Sequence, residues 1–424
     1  MKIAIVGGGA SGMVSAYLLD QQGHEVTVYE RQSSLGGHIR TLNKNVSPQT
    51  NCSDRLELGV LEFSAEFTHF RQLMEDLCMS LEPVEVGSGL FLKGGRHFLS
   101  TVMINNNFQG VKKWRVLLHL EALYAQSLGL WIKTHRDRIE QLASQPLSEY
   151  FSKGNDQTTW LKVLTMYSYS MPYNAIDNFP AQLAIPSLRR YVFGHWFRIK
   201  GGVYAYIEKI LSRFSGEVHL SAEVRAIHRT NGRIQIDGRL GDSRPFSHQF
   251  DKLVFAAPPD QFLRLVADPR PDEVKRFQAW RPNYAKTVLH SDRTLYKPFH
   301  IQRGSEFDFF QTDIGWGYNA YLNQLCGITS QTAYSLAFNL ESKISPDKLI
   351  HVQQHHTPFF DADAFRYRDE VIATSGEHNT YHTGAYLSDC LHEGAVTSAM
   401  SAVNAMSALS PSRMTTKELI TLHN

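Results

Sequence analysis

The stretch that most constrains the fold lies at the N-terminus, where a short apolar strand runs into a glycine turn and then a helix. Lys2 to Val6 is rich in β-branched residues, and Gly7, Gly9 and Gly12 follow at the G-x-G-x-x-G spacing. In that arrangement the first glycine permits a tight turn, the second lets the backbone approach a pyrophosphate, and the third lets helix and strand pack closely. The helix N-terminus adds unpaired N–H groups and the positive end of its dipole. The sequence therefore predicts a dinucleotide site.

The segments after this turn have the order expected of a βαβ unit. Met13 to Gln22 keeps apolar residues at helical spacing, Gly23 is a suitable C-terminal cap, and Glu25 to Tyr29 alternates like a second strand. Glu30 ends that strand, where a carboxylate can accept hydrogen bonds from a ribose 2′-OH. An acid at this position disfavours a 2′-phosphate, so the site is not predicted to bind NADP.

Length and composition allow two or three domains with sizeable cores, since the chain has 424 residues and 42% of them are hydrophobic. The formal net charge is only +2, so the overall charge does not point to a nucleic-acid partner or to a strongly anionic membrane. The four cysteines are far apart, which favours reduced thiols over a zinc site or a redox dithiol. Met1 leads directly into the first strand and no long apolar run occurs. We therefore expect a cytoplasmic protein without a transmembrane segment, and an amphipathic surface for lipid contact stays open.

A second glycine pair follows the acid at the end of the second strand. Leu35, Gly36 and Gly37 precede the basic Arg40, and a Gly-Gly taken alone would indicate only a turn. Combined with the first motif, this segment resembles the flavin-containing amine oxidase superfamily, which includes phytoene desaturases and protoporphyrinogen oxidases. The resemblance implies that Glu30 holds the adenosine ribose and that Gly36, Gly37 and Arg40 line the pyrophosphate and the flavin. FAD is therefore the implied cofactor, rather than NAD.

The resemblance continues in order along nearly the whole chain. Leu56 to Phe63 resembles an E-x-G segment that runs past the flavin ring. Gly201-Gly202, with the amphipathic helix after it, resembles the return of the chain to the flavin domain. Ala256 to Pro258 resembles an A-x-P strand end near the cofactor.

The C-terminal part carries the last of these matches. Gly384 to Gly394 resembles the superfamily's final strand, loop and helix, whose N-terminus points at the flavin. Val288 to Asp292 and His392 to Gly394 bring the chain closest to a bacterial branch of predicted NAD/FAD-binding oxidoreductases. The cofactor-binding residues implied by all these matches are Gly7, Gly9, Ala10, Ser11, Gly12, Glu30, Arg31, Gly36, Gly37, His38, Arg40, Val224, Ala257, Gly384, Glu393 and Ala395.

The predicted fold is an α/β protein with a Rossmann-type FAD-binding domain, an interleaved α+β substrate domain and a helical cap. Residues 1–95, 197–258 and 373–424 are assigned to the FAD-binding domain, 96–196 to the helical substrate cap, and 259–372 to the substrate domain. Within these segments, residues 233–237 are predicted as an edge strand. Long helical runs begin near Val111, and aromatic residues concentrate between Trp160 and Phe197, where core packing is favoured over a substrate-lining wall.

Three residues are candidates for catalysis: Lys286, Tyr386 and His392. Lys286 lies near where many amine oxidases place a lysine that holds water beside flavin N5, but a solvated charge at a sheet edge is the favoured alternative. N–H groups near Glu393 at the start of the last helix could stabilise negative charge on the reduced flavin. For His392 a role in folding alone is an equal alternative.

Two further patterns narrow the chemistry. His351, His355 and His356 include one helical spacing of four, but no carboxylate motif accompanies them, so no metal site is predicted. Ala385 stands where amine oxidases usually carry Glu, and their paired aromatic cage is not recognisable, which disfavours amine substrates.

The sequence contains one nucleotide fingerprint and shows no NADPH site, so the substrate itself is expected to reduce the flavin. The leading hypothesis is an FAD-dependent oxidoreductase, acting as a dehydrogenase, desaturase or oxidase, that moves a hydride from a mainly apolar small molecule to flavin N5. One alternative is a redox-neutral, FAD-dependent double-bond isomerase. The other is a flavin-binding protein without catalysis. The oligomeric state, the electron acceptor and the catalytic base stay open.

Overall fold

The computed structural model describes residues 1–49, 52–118, 120, 125, 145–151, 156–301 and 304–408. The strands are β1 (Lys2–Val6), β2 (Glu25–Tyr29), β3 (Phe63–Ser64), β4 (Leu81–Val84), β5 (Ser88–Phe91), β6 (His97–Phe98), β7 (Trp196–Ile199), β8 (Glu217–His219), β9 (Glu223–Thr230), β10 (Arg233–Arg239), β11 (Pro245–Phe250), β12 (Lys252–Phe255), β13 (Pro282–His290), β14 (Phe307–Thr312), β15 (Gly315–Tyr321), β16 (Ser335–Phe338), β17 (Leu349–Pro358) and β18 (Thr380–His382).

The helices in the same chain order are α1 (Ala10–Gln21), α2 (Thr68–Asp76), α3 (Thr101–Asn107), α4 (residues 110–118), α5 (Asp156–Tyr169), α6 (Ala181–Phe193), α7 (Tyr204–Leu211), α8 (Phe262–Leu265), α9 (Pro271–Phe277), α10 (Leu322–Leu325), α11 (Ala362–Phe365), α12 (Arg368–Ala373) and α13 (His392–Ala408). Most of the predicted helical run from about Val111 to Phe151 lies outside the described residues. Within the described part, no helix is long and apolar enough to cross a bilayer.

A five-stranded parallel sheet carries the glycine turn. Its order is β18-β12-β1-β2-β8, so its strands come from widely separated parts of the chain. The central strands β1 and β12 are apolar and almost wholly buried, as parallel strands covered on both faces must be. Helices α1, α7 and α13 pack into the same core as these strands.

A seven-stranded mixed sheet forms the second layer, in the order β17-β13-β16-β15-β14-β5-β6. Alternate residues of β14 face opposite sides: Phe307 and Phe309 join the core that contains α5 and α6, whereas Phe310 joins the cluster that contains α3. A Rossmann-type sheet interleaved with this second sheet confirms the predicted fold class.

The strand pairing corrects three details of the sequence interpretation. Residues 233–237 lie in β10, the middle strand of the three-stranded sheet β11-β10-β9 rather than an edge. Lys286 lies on β13, which is covered at its side by the edge strand β17. His351, His355 and His356 lie on β17, so their spacing of four is not helical. Sequence alternation is the same for edge and central strands, so only pairing distinguishes them.

The domain division stays a prediction, and one of its boundaries can be compared with the pairing. β5 hydrogen-bonds in parallel to β14 of the seven-stranded sheet. The chain has therefore joined the larger sheet at Ser88, before the boundary predicted at residue 95. β3, β7 and β4 form a separate three-stranded sheet, in that order.

Candidate cofactor and substrate site

The glycine turn between β1 and α1 has the close packing that its spacing predicts. Gly7 has φ +110°, and a Cβ on it would lie 2.7 Å from the carbonyl oxygen of Ala256. A Cβ on Gly12 would lie 1.9 Å from the carbonyl oxygen of Gly7. Side chains are therefore excluded at both positions, and Ala257, which follows β12, lies beside the same turn.

The second glycine pair meets the first at the start of α1. Gly36 N–H donates to the carbonyl of Gly8 at 2.8 Å. A Cβ on Gly37 would come within 3.0 Å of the Gly9 Cα. Among the described residues no side chain caps the N-terminus of α1, and its first turn contains no acidic residue, so the N–H groups there suit an anion. Ala10, Ser11 and Gly12 form that first turn.

Glu30 lies where the ribose-binding acid is expected, after β2. Its carboxylate accepts hydrogen bonds from the N–H groups of Gly8 and Gln32, both at 2.8 Å. Its carbonyl accepts a hydrogen bond from Ala222 N–H, which brings the start of β9 and Val224 alongside. Arg31, the next residue, is exposed. These contacts bring the residues predicted to bind the adenosine together at the C-terminal end of β2.

Arg40 is a buried cation that lacks an anionic partner. Its side chain is 3% exposed and donates to Ser34 Oγ at 2.7 Å and to Gln32 Oε1, both neutral groups. Burial lowers the pKa of Arg40, although the charge of Glu30 opposes that shift. Among the described residues Arg40 forms no ion pair. A buried guanidinium beside an uncapped helix N-terminus fits the pyrophosphate of FAD, so the residues present suit this cofactor.

His38 links the glycine pair to the larger sheet. Its Nε2 hydrogen-bonds with the carbonyl of His356 at 2.7 Å. A Cβ on Gly59 would lie 2.2 Å from the His38 carbonyl oxygen, and Leu58 N–H donates to the Arg40 carbonyl at 2.8 Å. The predicted E-x-G segment therefore runs directly along residues 38–40.

The C-terminal segment returns to the same region through β18 and α13. Gly384 N–H donates to Ser398 Oγ at 3.0 Å, and Ala395 is buried in the first turns of α13. The Glu393 carboxylate accepts hydrogen bonds from His69 N–H and Phe70 N–H, both at 2.9 Å. That side chain therefore caps α2, and only its backbone is left for the predicted cofactor contact.

The three catalytic candidates lie in three different surroundings. Lys286 Nζ pairs with Glu341 Oε1 at 2.6 Å, and both side chains are about 40% exposed. Tyr386 is buried against Trp280, and its hydroxyl has no hydrogen-bond partner among the described residues. His392 hydrogen-bonds with the Tyr206 hydroxyl at 2.8 Å, and burial lowers its pKa to about 3. Their catalytic roles stay predictions.

One group with acid–base character was missed by the sequence reasoning. The Tyr167 hydroxyl donates to both carboxylate oxygens of Glu62 at 2.8 Å, and the Tyr191 hydroxyl lies 3.4 Å from Oε1. Burial raises the pKa of Glu62 to about 7. All three residues are intermediate in burial, neither fully buried nor exposed. Glu62 belongs to the predicted E-x-G segment, and only the fold pairs it with the aromatic stretch.

Aromatic rings from α5, α6, β7 and the seven-stranded sheet lie around Glu62. The Tyr167 ring lies 4.4 Å from the ring of Phe307 and 5.0 Å from that of Tyr318, which are on β14 and β15. Tyr191 stacks on Trp196 at 4.7 Å. The surroundings of Glu62 therefore consist mainly of aromatic rings, and the Glu62 carboxyl is the acidic group among them.

Another carboxyl group, that of the buried Glu57, connects the E-x-G segment with the Gly201-Gly202 turn. It accepts hydrogen bonds from Thr41 Oγ1 and from Val203 N–H, both at 2.8 Å, so the Gly201-Gly202 turn is tied to the E-x-G segment. Burial raises the pKa of Glu57 to about 7. A cavity of about 670 Å³ lies beside it and reaches the turn after α10.

Two of the three histidines of β17, His355 and His356, hydrogen-bond with other parts of the protein. His355 Nε2 lies 3.0 Å from the Leu58 carbonyl and 3.1 Å from Thr287 Oγ1, and burial lowers its pKa to about 3. His356 Nε2 pairs with Asp260 at 3.1 Å. Across the part of the chain that the structure describes, no three metal-ligating side chains converge.

Comparison with known proteins places this geometry in context. The sequence profile of flavin-containing amine oxidoreductases matches residues 10–310. A 4,4'-diapophytoene desaturase (4,4'-diaponeurosporene-forming) of Staphylococcus aureus strain Newman is 25% identical over 302 residues, covering 61% of this chain and 55% of the desaturase. The chain thus spans about half the length of the curated relatives it matches.

Solved structures share the whole fold at low sequence identity. Putrescine oxidase bound to putrescine superposes with a TM-score of 0.68 at 14% identity, covering 96% of this chain and 99% of the oxidase. A CLA-producing fatty acid isomerase from P. acnes gives 0.68 at 14% identity, over 96% and 98% of the two chains. Cyclohexylamine oxidase from Brevibacterium oxydans gives 0.65 at 14% identity, over 96% and 98%. These likenesses establish the fold.

Proposed function

We propose, from the premise that this chain belongs to the family of flavin-containing amine oxidoreductases, that it removes a hydride and a proton from a mainly apolar small molecule. Family membership makes FAD the cofactor and FAD-dependent oxidoreductase the enzyme class. The kind of substrate, the residues that bind the cofactor and the route of the proton are our proposals.

The FAD-binding residues are proposed from the contacts around the glycine turn. The N–H groups at the start of α1 and the Arg40 guanidinium would hold the pyrophosphate, and Glu30 would hold the adenosine ribose. Glu30 would exchange its bond to Gly8 N–H for the ribose hydroxyl. When bound, the flavin supplies the hydride acceptor, and oxygen or another acceptor reoxidises it.

Glu62 is the proposed proton acceptor, and its position is the observation that carries the mechanism. The carboxylate takes the proton of the substrate C–H bond and forms an O–H bond. The electron pair of that C–H bond becomes the second bond of the new double bond as hydride departs from the adjacent carbon. Tyr167 and Tyr191 stabilise the carboxylate form by donating to it. The surrounding rings exclude water from the site.

An apolar substrate follows from the same lining. The rings of Tyr167, Phe307, Tyr318 and Trp196 offer apolar area, and this suits a chain of carbon atoms better than a charged metabolite. The relative that is named a 4,4'-diapophytoene desaturase supports a substrate of this class. We propose the cytoplasm as the compartment, where the four unpaired cysteines stay reduced.

The function is tested by adding apolar candidates, such as polyenes and unsaturated acyl chains, to the FAD-loaded protein without oxygen. Net oxidation predicts lasting loss of the flavin absorbance and a product with one more double bond. A product formed without lasting bleaching would instead support the redox-neutral isomerase. A yellow protein whose spectrum no candidate changes would contradict both and leave a flavin-binding role.

A further inference from the structure

Helix α4 exposes three large apolar side chains on one face. Val111 is 82% exposed, Trp114 68% and Leu118 71%. Their spacing of three and then four residues aligns them along one stripe of the helix. Exposed apolar side chains scattered singly are ordinary, but a tryptophan within such a stripe marks a contact surface.

The opposite face of the same helix is firmly attached to the protein. Val116 and Leu117 pack against a cluster that contains Met103, Ile104 and Phe310. This cluster covers the outer face of the seven-stranded sheet, opposite the rings around Glu62. The helix is therefore fixed to the fold and presents its apolar stripe outward from the sheet.

The charges on this helix have one sign. Lys112, Lys113 and Arg115 interleave with the apolar residues, and the sequence from Thr101 to Leu118 contains no Asp or Glu. None of the three cations forms an ion pair with a described residue, and the Lys112 ammonium lies 5.2 Å from the centre of the Phe108 ring. A surface that matches this helix would combine negative charge with an apolar interior.

We propose that the outward face of α4, formed by Val111, Trp114 and Leu118 with Lys112 and Arg115 beside them, docks onto the surface of an anionic phospholipid bilayer. The tryptophan and the aliphatic side chains enter the headgroup boundary while the cations stay at the phosphate level. A second copy of the chain suits this face less well. Symmetric pairing would bring Lys112 and Arg115 towards their own counterparts, and residues 110–118 contain no acid to compensate.

This inference goes beyond the proposed function and does not depend on it. It assigns a lipid-facing side to the molecule, at the outer surface of the seven-stranded sheet. The overall charge of +2 conceals the feature, because acids elsewhere in the chain balance the three cations of this helix.

Vesicle flotation of the FAD-loaded protein tests the docking. The protein is mixed with vesicles of phosphatidylcholine alone, or with one third phosphatidylglycerol, at low and high salt. One variant carries Val111→Ser, Trp114→Ser and Leu118→Ser, and another carries Lys112→Gln and Arg115→Gln. The matched control carries Ile314→Ser and Ile372→Ser, which alter apolar residues 89% and 45% exposed elsewhere.

We expect the wild type and the control to float with the anionic vesicles, and the apolar variant to bind about tenfold more weakly or worse. The charge variant should lose the preference for phosphatidylglycerol and its salt dependence. All variants should keep the flavin absorbance of the folded protein. Equal flotation of wild type and apolar variant, or no flotation at all, would overturn the proposal. A wild-type dimer in light scattering that the apolar variant converts to a monomer would show that the face joins two copies instead.

Discussion

At the scale of single residues, Arg40 and Glu62 lie inside the protein without forming an ion pair to any described residue. Arg40 has only neutral partners, and Glu62 is held by two phenol hydroxyls. Burying such groups costs free energy, so their retention fits a role with a ligand. The resemblance to the flavin family indicated Arg40, whereas Glu62 became a candidate only when the fold brought Tyr167 and Tyr191 to it.

Replacing Arg40 tests the pyrophosphate assignment. Arg40→Leu should lower FAD affinity by about tenfold to 100-fold, because a charge-assisted hydrogen bond is lost. The free energy of unfolding of the FAD-free protein should stay within about 1 kcal/mol of the wild type or rise, since an uncompensated buried charge is removed. Fluorescence titration with FAD and urea unfolding measure the two effects. Arg264→Leu, which alters an exposed arginine, is the control and should change neither.

The pH dependence of turnover tests Glu62. The carboxylate must be deprotonated to accept a proton and burial raises its pKa to about 7, so turnover should increase with pH and level off above about 7. Glu62→Gln should lower turnover by about 10² to 10⁴-fold and remove this step while FAD binding persists. Tyr167→Phe should move the step to higher pH, because the carboxylate loses a donor. The control Glu66→Gln alters an exposed carboxylate nearby and should have the pH profile of the wild type. If Glu62→Gln also kept the wild-type pH profile, Glu62 would be excluded as the base.

At the scale of elements, the glycines of the strand–turn–helix unit formed by β1 and α1 have two different roles, close packing and space for a ligand. Gly12 is needed for packing, since a Cβ there would overlap the Gly7 carbonyl. Gly9 has φ −75°, and a Cβ on it would meet nothing closer than 3.8 Å. Gly12 is therefore required by the packing of the fold, whereas Gly9 leaves room for a ligand.

Two alanine substitutions should separate these roles. Gly12→Ala should destabilise the protein by about 2 kcal/mol or more, because backbone must move to admit the methyl group. Gly9→Ala should fold with nearly wild-type stability but bind FAD at least about tenfold more weakly, because the methyl group occupies the approach of the pyrophosphate. Thermal unfolding without FAD and FAD titration measure these effects. Unchanged FAD affinity in Gly9→Ala would contradict the proposed position of the cofactor.

At the scale of the whole molecule, the proposed cofactor contacts come from distant parts of the chain. The glycine motifs lie before residue 41, Ala257 follows β12, and Gly384 precedes α13. A ligand that contacts all these segments binds the folded state and not the unfolded chain, in which the segments are far apart. Such binding stabilises the folded state.

FAD should therefore raise the stability of the protein in a concentration-dependent way. The gain is about 2.7 kcal/mol at a free FAD concentration of about 100 times Kd. Riboflavin, which lacks the pyrophosphate and adenosine, should give a much smaller increase in Tm at the same concentration. Equal increases from both compounds would show that the segments around Gly7 and Glu30 do not bind the dinucleotide portion.

The sequence by itself determined the Rossmann-type unit and the order of the landmarks, and its resemblance to a flavin-containing family implied FAD as the cofactor. The Rossmann-type unit rests on local spacing, which a linear pattern records because glycine and strand residues act through their immediate neighbours. Only the tertiary structure decided that residues 233–237 are a central strand, that Glu393 caps α2, that Glu62 faces Tyr167, and that the face of α4 stays uncovered. The first three depend on contacts between residues that are not neighbours in the chain, and the fourth on whether any described residue packs over the helix. A local pattern carries no information about such partners.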